Sequence, residues 1–196
     1  MNNLNMAAIY LIQTLGSLYL VIVLMRFILQ LVKADFYNPI SQFIVKATKP
    51  LLMPLRRIVP GFGGIDFASL VLALILQMAL MAVIITLLGA ALPNLVFLLV
   101  WSFIAVAALF LKIFFFALII SVILSWVAPQ SSNPAAILVQ QLSEPVMAPI
   151  RAILPSMGGL DLSPIFAFIA LRLIDMLVIA NMAAATGMPQ GLTLAL

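Results

Sequence analysis

The sequence predicts an all-α membrane protein with four transmembrane helices, arranged as two parallel helix–connection–helix repeats. Three observations lead to this prediction. Of the 196 residues, 66% are apolar and 7% are charged, whereas a soluble domain has about 45–50% apolar and about 25% charged residues. The apolar residues form four long runs. The sequence also overlays itself when it is shifted by 95 residues.

The composition excludes several classes of protein. Nine basic and five acidic side chains cannot cover the surface of a soluble 21.2 kDa globule, so a soluble enzyme is excluded. The chain has no Cys and no His, which removes disulfides, thiolate catalysis, His-ligated haem and ordinary zinc sites. We therefore expect no catalytic residue, cofactor or metal site. The basic residues are too few for a nucleic-acid interface.

The four apolar runs cover residues 6–32, 67–92, 95–128 and 162–185. Each is long enough, because a membrane helix needs about 20 apolar residues. Pro93-Asn94 favours a turn and separates the second run from the third. The first run lacks a basic start and a small-residue cleavage site, so we interpret it as a span and not as a signal peptide.

The distribution of basic residues predicts the orientation of the spans. Four spans place both termini on one side of the membrane and both long connections on the other. Lys and Arg mark the cytoplasmic side, so we expect cytoplasmic connections and external termini. The basic residues of the two connections are Lys33, Lys46, Lys49, Arg56, Arg57 and Arg151.

The internal repeat is the most specific signal in the sequence. With the shift of 95 residues, ten of the 29 positions between 38 and 66 are identical to their counterparts, without a gap. The repeats are residues 1–92 and 95–196, and both insert in the same orientation because each has two spans. The motif consists of Pro50, Pro54, Arg56, Pro60, Gly63, Gly64 and Asp66 in the first copy and of Pro145, Pro149, Arg151, Pro155, Gly158, Gly159 and Asp161 in the second.

Each connection begins with a predicted amphipathic helix. Asn38 and Asn133 are good N-caps, and each is followed by a proline at the first helical position. Two placements remain open, one on the membrane surface and one against the cytoplasmic ends of the spans. We expect these helices to cover residues 27–32 and 122–127, which are apolar and extend beyond the bilayer core. The residues predicted to share the apolar face of the first helix are Ile40, Phe43, Ile44, Ala47 and Leu51.

The motif itself predicts an interrupted helix followed by a tight turn. Three prolines within eleven residues favour a kinked, re-entrant or short-turn segment over a long helix. Arg56 and Arg151 are expected to reach lipid phosphates or carbonyls that the prolines leave unpaired. Asp66 and Asp161, after the glycine pairs, are expected to cap spans 2 and 4. A catalytic pair formed by the two Asp residues is the alternative.

The two motif copies resemble the YggT family, also called YlmG. The resemblance rests on the segments from Pro50 to Pro60 and from Pro145 to Pro155, each with its Gly-Gly-x-Asp, and covers nearly the whole chain. Ala68-Ser69 departs from the Ser163-Pro164 pattern of the second copy. The resemblance implies four spans in the bacterial inner membrane, no catalytic mechanism and a link to tolerance of osmotic shock. Plastid relatives imply links to attachment of haem to a cytochrome and to nucleoid distribution.

A layer of polar residues is predicted near the middle of the membrane. Counted from the cytoplasmic interface at about 1.5 Å per residue, its members lie about 13 to 18 Å deep. Intramembrane ionisable groups are candidates for function, so one interpretation is an ion pathway. The other is a structural network in which Asp175 neutralises Lys112 or Arg172 and joins spans 3 and 4. The five members of this layer are Ser17, Gln77, Lys112, Arg172 and Asp175.

Three functional hypotheses follow from these patterns. The first is a non-enzymatic scaffold, assembly factor or envelope factor that contacts lipid and either a partner membrane protein or further copies of itself. The second is a small oligomeric channel or transporter that uses the polar layer. The third is an intramembrane enzyme, for which the sequence offers no nucleophile–base pair. We favour the first.

Overall fold

The computed structural model describes residues 3–129, 131–153, 161–189 and 192, and these residues are mostly helical. The elements, in chain order, are α1 Asn3–Leu31, α2 Pro39–Arg56, α3 Phe67–Leu87, α4 Leu95–Val127, α5 Pro134–Ile153, α6 Ser163–Ile174, a π-helical segment Asp175–Ile179, and α7 Ala180–Ala185.

Four helical stretches are long and apolar enough to cross a membrane. They are α1, α3, α4 and the continuous stretch Ser163–Ala185, which comprises α6, the π-helical segment and α7. Each coincides with one of the predicted spans. The protein is therefore a multi-pass membrane protein.

The second span ends five residues before the predicted boundary at Leu92. Gly89 has a φ of +74°, and the amide of Ala90 donates to the carbonyl of Ile85 at 3.1 Å. This bonding pattern is the Schellman motif, in which a glycine in the left-handed region stops the helix. The apolar residues beyond Gly89 therefore belong to a connection and not to α3.

α1 packs against α2, α3 and α4. Its residues Leu24, Ile28 and Leu29 have no exposed surface. A Cβ atom added to Gly16 would lie 2.6 Å from Cδ1 of Leu80, so α1 and α3 approach closely at this level. At the end of α4 nearer its N-terminus, the indole Nε1 of Trp101 donates to the carbonyl of Thr186 at 3.2 Å and joins α4 to the end of α7.

The prediction that the prolines interrupt the connection helices is wrong. α2 continues through Pro50 and Pro54, and α5 continues through Pro145 and Pro149. All four prolines are exposed. Because the two prolines of each helix are four residues apart, the missing amide of the second would have paired with the carbonyl of the first. The backbone hydrogen bonds that the prolines remove therefore lie on the exposed side of each helix, while the opposite side packs against the spans.

The predicted apolar face of α2 is divided between two environments. Ile44 is buried against the spans with Ser41 and Thr48, whereas Phe43 and Leu51 are exposed. The first turns of α2 and α5 also contact each other, since Nδ2 of Asn38 donates to the carbonyl of Pro134 at 2.6 Å. α2 thus packs against the ends of the spans and leaves an adjacent apolar stripe uncovered.

The connection helices were predicted to cover the C-terminal ends of α1 and α4, and only the end of α1 is covered. Ile28 is fully buried, but Trp126 is 82% exposed and Val127 is 77% exposed. The reason lies at the helix ends. Lys33 has a φ of +53° and reverses the chain, so that α2 returns over the end of α1. Ala128, the residue 95 positions later, has a φ of −148°, and the chain leaves α4 without this reversal.

Candidate functional sites

The glycine pair of the first motif forms a two-residue turn that places Asp66. Gly63 and Gly64 have φ values of +62° and +81°, as a type I′ turn requires. Phe62 and Ile65 close the turn through two backbone hydrogen bonds of 3.3 and 3.1 Å. Asp66 follows directly and is the N-cap of α3, where its Oδ1 accepts the amide of Ser69 at 3.3 Å.

Asp66 is the centre of a buried ionic cluster. Its side chain is 2% exposed and pairs with Arg56, while Nε of Arg26 lies 3.7 Å from its Oδ2. The hydroxyl of Ser69 donates to the same oxygen at 2.6 Å. Burial raises the pKa of Asp66, but the hydrogen bonds from Ser69 and Arg56 outweigh it and hold the pKa below its ordinary value. Arg56 therefore binds the carboxylate at the start of α3.

Arg26 joins three elements in this cluster. Besides facing Asp66 at the start of α3, its Nη1 donates to the carbonyl of Val45 at 3.0 Å and to the hydroxyl of Thr48 at 2.8 Å, both on α2. The Arg26 side chain is 10% exposed. A guanidinium is therefore held in a cradle of one carboxylate, one carbonyl and one hydroxyl.

The second motif forms a related but exposed cluster. Arg151 pairs with Asp161 at 3.2 Å and with Glu144 at 3.0 Å. Asp161 is 45% exposed, and its Oδ1 accepts the amide of Ser163, the first residue of α6, at 2.9 Å. The hydrogen bonds from Ser163 lower the pKa of Asp161, and Arg151 lowers it further. Pro155, Gly158 and Gly159 lie outside the described residues.

Asp66 and Asp161 belong to two separate ionic clusters. Each carboxylate pairs with the arginine of its own motif and accepts an amide near the start of its own span. Through these contacts, each carboxylate joins its motif to the start of the following span. Among residues 3–129, 131–153 and 161–189, there is also no group of three or more acidic side chains that could hold a metal ion.

The predicted polar layer separates into two parts. Ser17 on α1 and Gln77 on α3 are buried and lie outside the two clefts that the charged members border. Lys112, Arg172 and Asp175 come together between α4 and the fourth span. Nη1 of Arg172 lies 2.9 Å from Oδ2 of Asp175, and Asp175 also interacts electrostatically with Lys112.

The three charged residues border two clefts. One cleft, of about 260 Å³, lies beside Phe115 and Phe116 on α4. The other, of about 500 Å³, extends past Ile179 to Met188. The charged group thus forms a polar wall shared by two clefts along the fourth span.

The fourth span changes its helical geometry at Asp175. A π-helical segment begins there and ends at Ile179, and the amide of Ala180 donates to the carbonyl of Asp175. Such segments are rare and frequently occur at functional sites. Asp175 therefore combines an ionisable side chain inside a span with an irregular backbone.

Sequence reasoning missed three members of the two ionic clusters. The sequence patterns assign no role in an ionic cluster to Arg26, Thr48 or Glu144. The shift of 95 residues contains a usable signal, because it places the hydroxyl of Thr48 on that of Ser143 and Arg26 on Ser121. The position of Arg26 carries a charge in the first copy only, and this difference marks where the two motifs differ.

Known proteins resemble this chain over nearly its whole length. The model of the CCB3/YggT family matches residues 5–88 and again residues 100–182. A protein of Pseudomonas aeruginosa named as uncharacterized is 69% identical over 195 residues, which is 99% of each chain. The protein YggT of Escherichia coli K12, also named as uncharacterized, is 39% identical over 182 residues, covering 91% of this chain and 92% of YggT. No solved structure matches the chain significantly.

Proposed function

We propose that this chain, which belongs to the CCB3/YggT family, is a non-enzymatic scaffold of the bacterial inner membrane that binds another membrane helix through its fourth span. The proposal includes two parallel repeats, with cytoplasmic connections and external termini. The two family matches begin at residues 5 and 100, and this spacing equals the shift that overlays the sequence. It supports the two-repeat arrangement.

The single observation that carries this proposal is the position of Arg172. Its side chain is 73% exposed although it lies within the fourth span. A charged group facing lipid at this depth costs several kcal/mol, and the ion pair with Asp175 leaves most of the Arg172 side chain exposed. Contact with a second protein would remove this cost. Arg172 therefore marks the surface at which we place the partner.

The residues around Arg172 form a continuous exposed stripe. Ile165, Ile169 and Met176 are large, apolar and exposed, and they lie three or four residues apart on the face that carries Arg172. A stripe with one charged residue at its centre is suited to a partner helix that supplies a polar group. We name Ile165, Ile169, Arg172 and Met176 the α6 stripe.

The connection helices complete the proposed arrangement in the membrane. The exposed Phe43 and Leu51 of α2 enter the lipid, while Lys46 and Lys49 face the headgroups. The ion pairs of Asp66 and Asp161 support a non-enzymatic role, because both carboxylates already have structural partners. By family resemblance, the scaffold contributes to tolerance of osmotic shock.

A photo-crosslinking amino acid in the α6 stripe tests the scaffold proposal in native membranes. We expect a discrete crosslinked species from positions 169 and 176, and none from positions 11 and 18, which are similarly exposed on α1. Arg172→Leu should remove the crosslink and reduce survival of osmotic shock, at unchanged protein levels. Equal crosslinking from α1 and α6 would contradict the proposal, whether the captured protein is a second copy or another protein.

A small channel or transporter is the second candidate function. It is favoured by the two clefts of about 260 and 500 Å³ that share Lys112, Arg172 and Asp175 as a polar wall. Potassium and proton flux into proteoliposomes tests this candidate. Flux that Lys112→Gln and Asp175→Asn abolish, and that the control Arg151→Gln preserves, would establish it over the scaffold. Flux equal to that of empty liposomes would eliminate it.

A further inference from the structure

The second motif contains a cavity at the place where the first motif holds a guanidinium. In the first copy, Arg26 is bound by the Asp66 carboxylate, the Val45 carbonyl and the Thr48 hydroxyl. The residues 95 positions later are Ser121 in place of Arg26, together with Asp161, Gln140 and Ser143. All four line one cavity of about 700 Å³. The acceptors of the cradle are thus repeated, while the cation is replaced by a small hydroxyl.

Ser143 occupies the same place in its helix as Thr48. The hydroxyl of Thr48 donates to the carbonyl of Ile44 at 2.8 Å and accepts from Arg26. The hydroxyl of Ser143 donates to the carbonyl of Val139 at 2.8 Å, and Val139 is the counterpart of Ile44. The same hydroxyl also lies 3.2 Å from the carbonyl of Ala117 on α4, so the Ser143 oxygen borders the cavity as a secondary acceptor. Ser121 provides no cation there.

The two clusters also differ in their net charge. The first combines the guanidinium groups of Arg26 and Arg56 with one carboxylate. The second combines one guanidinium, that of Arg151, with the two carboxylates of Glu144 and Asp161. Residues 154–160, which follow Arg151 and α5 in the chain, contain no charged side chain in the sequence. The second cluster therefore has an excess negative charge that a bound cation would neutralise.

The other half of the cavity is apolar and lies beside the ends of two spans. Val122 and Trp126 belong to α4, and Ile165 and Phe168 belong to α6. Trp126 is largely exposed, and tryptophan is enriched at the membrane–water interface. An occupant that suits the whole cavity has a cationic head beside an apolar chain.

We infer that this cavity binds a phospholipid with a primary ammonium headgroup. The ammonium takes the place that the Arg26 guanidinium has in the first motif, with Asp161, Glu144 and Ser143 as acceptors. The half-exposed Arg151 borders the same cavity and supplies a positive charge for the lipid phosphate. An acyl chain lies along Phe168 and Ile165. The cavity shares Ile165 with the α6 stripe, but its charged residues lie outside that stripe, so the inference does not depend on the scaffold role.

Lipid binding to the purified full-length protein tests the inference, with native mass spectrometry and thermal unfolding as readouts. The probes are phosphatidylethanolamine, phosphatidylcholine and phosphatidylglycerol with identical acyl chains. We expect phosphatidylethanolamine to bind about tenfold more tightly than phosphatidylcholine, because the trimethylated headgroup cannot donate charge-assisted hydrogen bonds. Equal binding of the three lipids would overturn the inference. Glycerophosphoethanolamine, which lacks acyl chains, should not displace phosphatidylethanolamine at equal concentration. Full displacement would overturn the inference that the ligand is a lipid.

Ser121→Arg is the decisive variant because it restores the cation of the first motif. It should abolish the preference for phosphatidylethanolamine and raise the melting temperature of the lipid-free protein. Glu144→Lys, which copies Lys49 of the first motif, should reduce the preference through charge alone and provides a second test if Ser121→Arg fails to fold. Asp35→Lys makes the same change in total charge on the other connection and should keep the preference. Retained preference in a folded Ser121→Arg or Glu144→Lys variant would contradict the inference.

Discussion

Arg26 on α1 and Asp66 at the start of α3 face each other inside the protein, with Nε of Arg26 3.7 Å from Oδ2 of Asp66. The two residues are 40 positions apart in the sequence. Because Arg26 also binds α2 through Val45 and Thr48, this pair joins all three helices of the first repeat. The second repeat has no equivalent, since Ser121 stands at the corresponding position.

We predict that Asp66→Asn destabilises the protein much more than Asp161→Asn. Removing the buried carboxylate leaves two arginines without their anion and should lower the free energy of unfolding by about 3 kcal/mol. Asp161 is 45% exposed, and an exposed pair contributes at most about 1 kcal/mol. Denaturant or thermal unfolding in detergent measures both variants. Equal losses would contradict the buried-cluster description.

The same carboxylate should make the stability depend on pH in the acid range. The pKa of Asp66 in the folded protein lies below its ordinary value of 3.8. The unfolded state therefore binds more protons near this pH, and the stabilisation is full above pH 3.8 and is lost as the pH falls through the folded pKa. Melting temperatures between about pH 3 and pH 6 should fall less steeply in Asp66→Asn. Parallel curves for the two proteins would be incompatible with this assignment.

Gly64 should tolerate Asn better than Ala. Its φ of +81° lies in the left-handed region, where an L-residue with a Cβ costs about 1–2 kcal/mol and Asn is the least penalised. No atom lies within 4 Å of a Cβ built at Gly64, so backbone strain and not collision sets the cost. Unfolding of Gly64→Ala and Gly64→Asn measures the difference. An Ala variant as stable as the parent would refute the turn geometry.

Gln77→Leu should leave the stability unchanged or raise it. Gln77 is 1% exposed, and its Oε1 has no hydrogen-bond partner among the described residues. Leucine removes this uncompensated polar atom at similar volume, and such replacements are nearly neutral or stabilising. Thr48→Val is the contrasting variant, because it removes an acceptor of Arg26 and should lower the melting temperature. A large loss of stability in Gln77→Leu would contradict the prediction and show that the Gln77 amide makes a stabilising polar contact.

The sequence located the spans well because their signal is local. Run length and hydropathy placed the start of α3 at Phe67 and the end of the fourth span at Ala185. The end of the second span was predicted too late, since the apolar residues to Leu92 continue past Gly89, where the backbone turns. The helix content of the proline motif was also mispredicted. The rule that proline ends a helix applies to an isolated segment, whereas α2 and α5 are supported by packing against the spans.

The sequence by itself determined the number of spans, the class of protein and the repeated motif, because hydropathy, residue spacing and self-similarity can be read along the chain. Tertiary structure alone decided which charges are buried and which are exposed. The Arg–Asp pairs of the two motifs are equivalent in sequence, yet Asp66 is 2% exposed and Asp161 is 45% exposed. The physical reason is that burial depends on what packs against a residue from distant parts of the chain. Here that neighbour is the side chain of Arg26, for which the second repeat offers only Ser121.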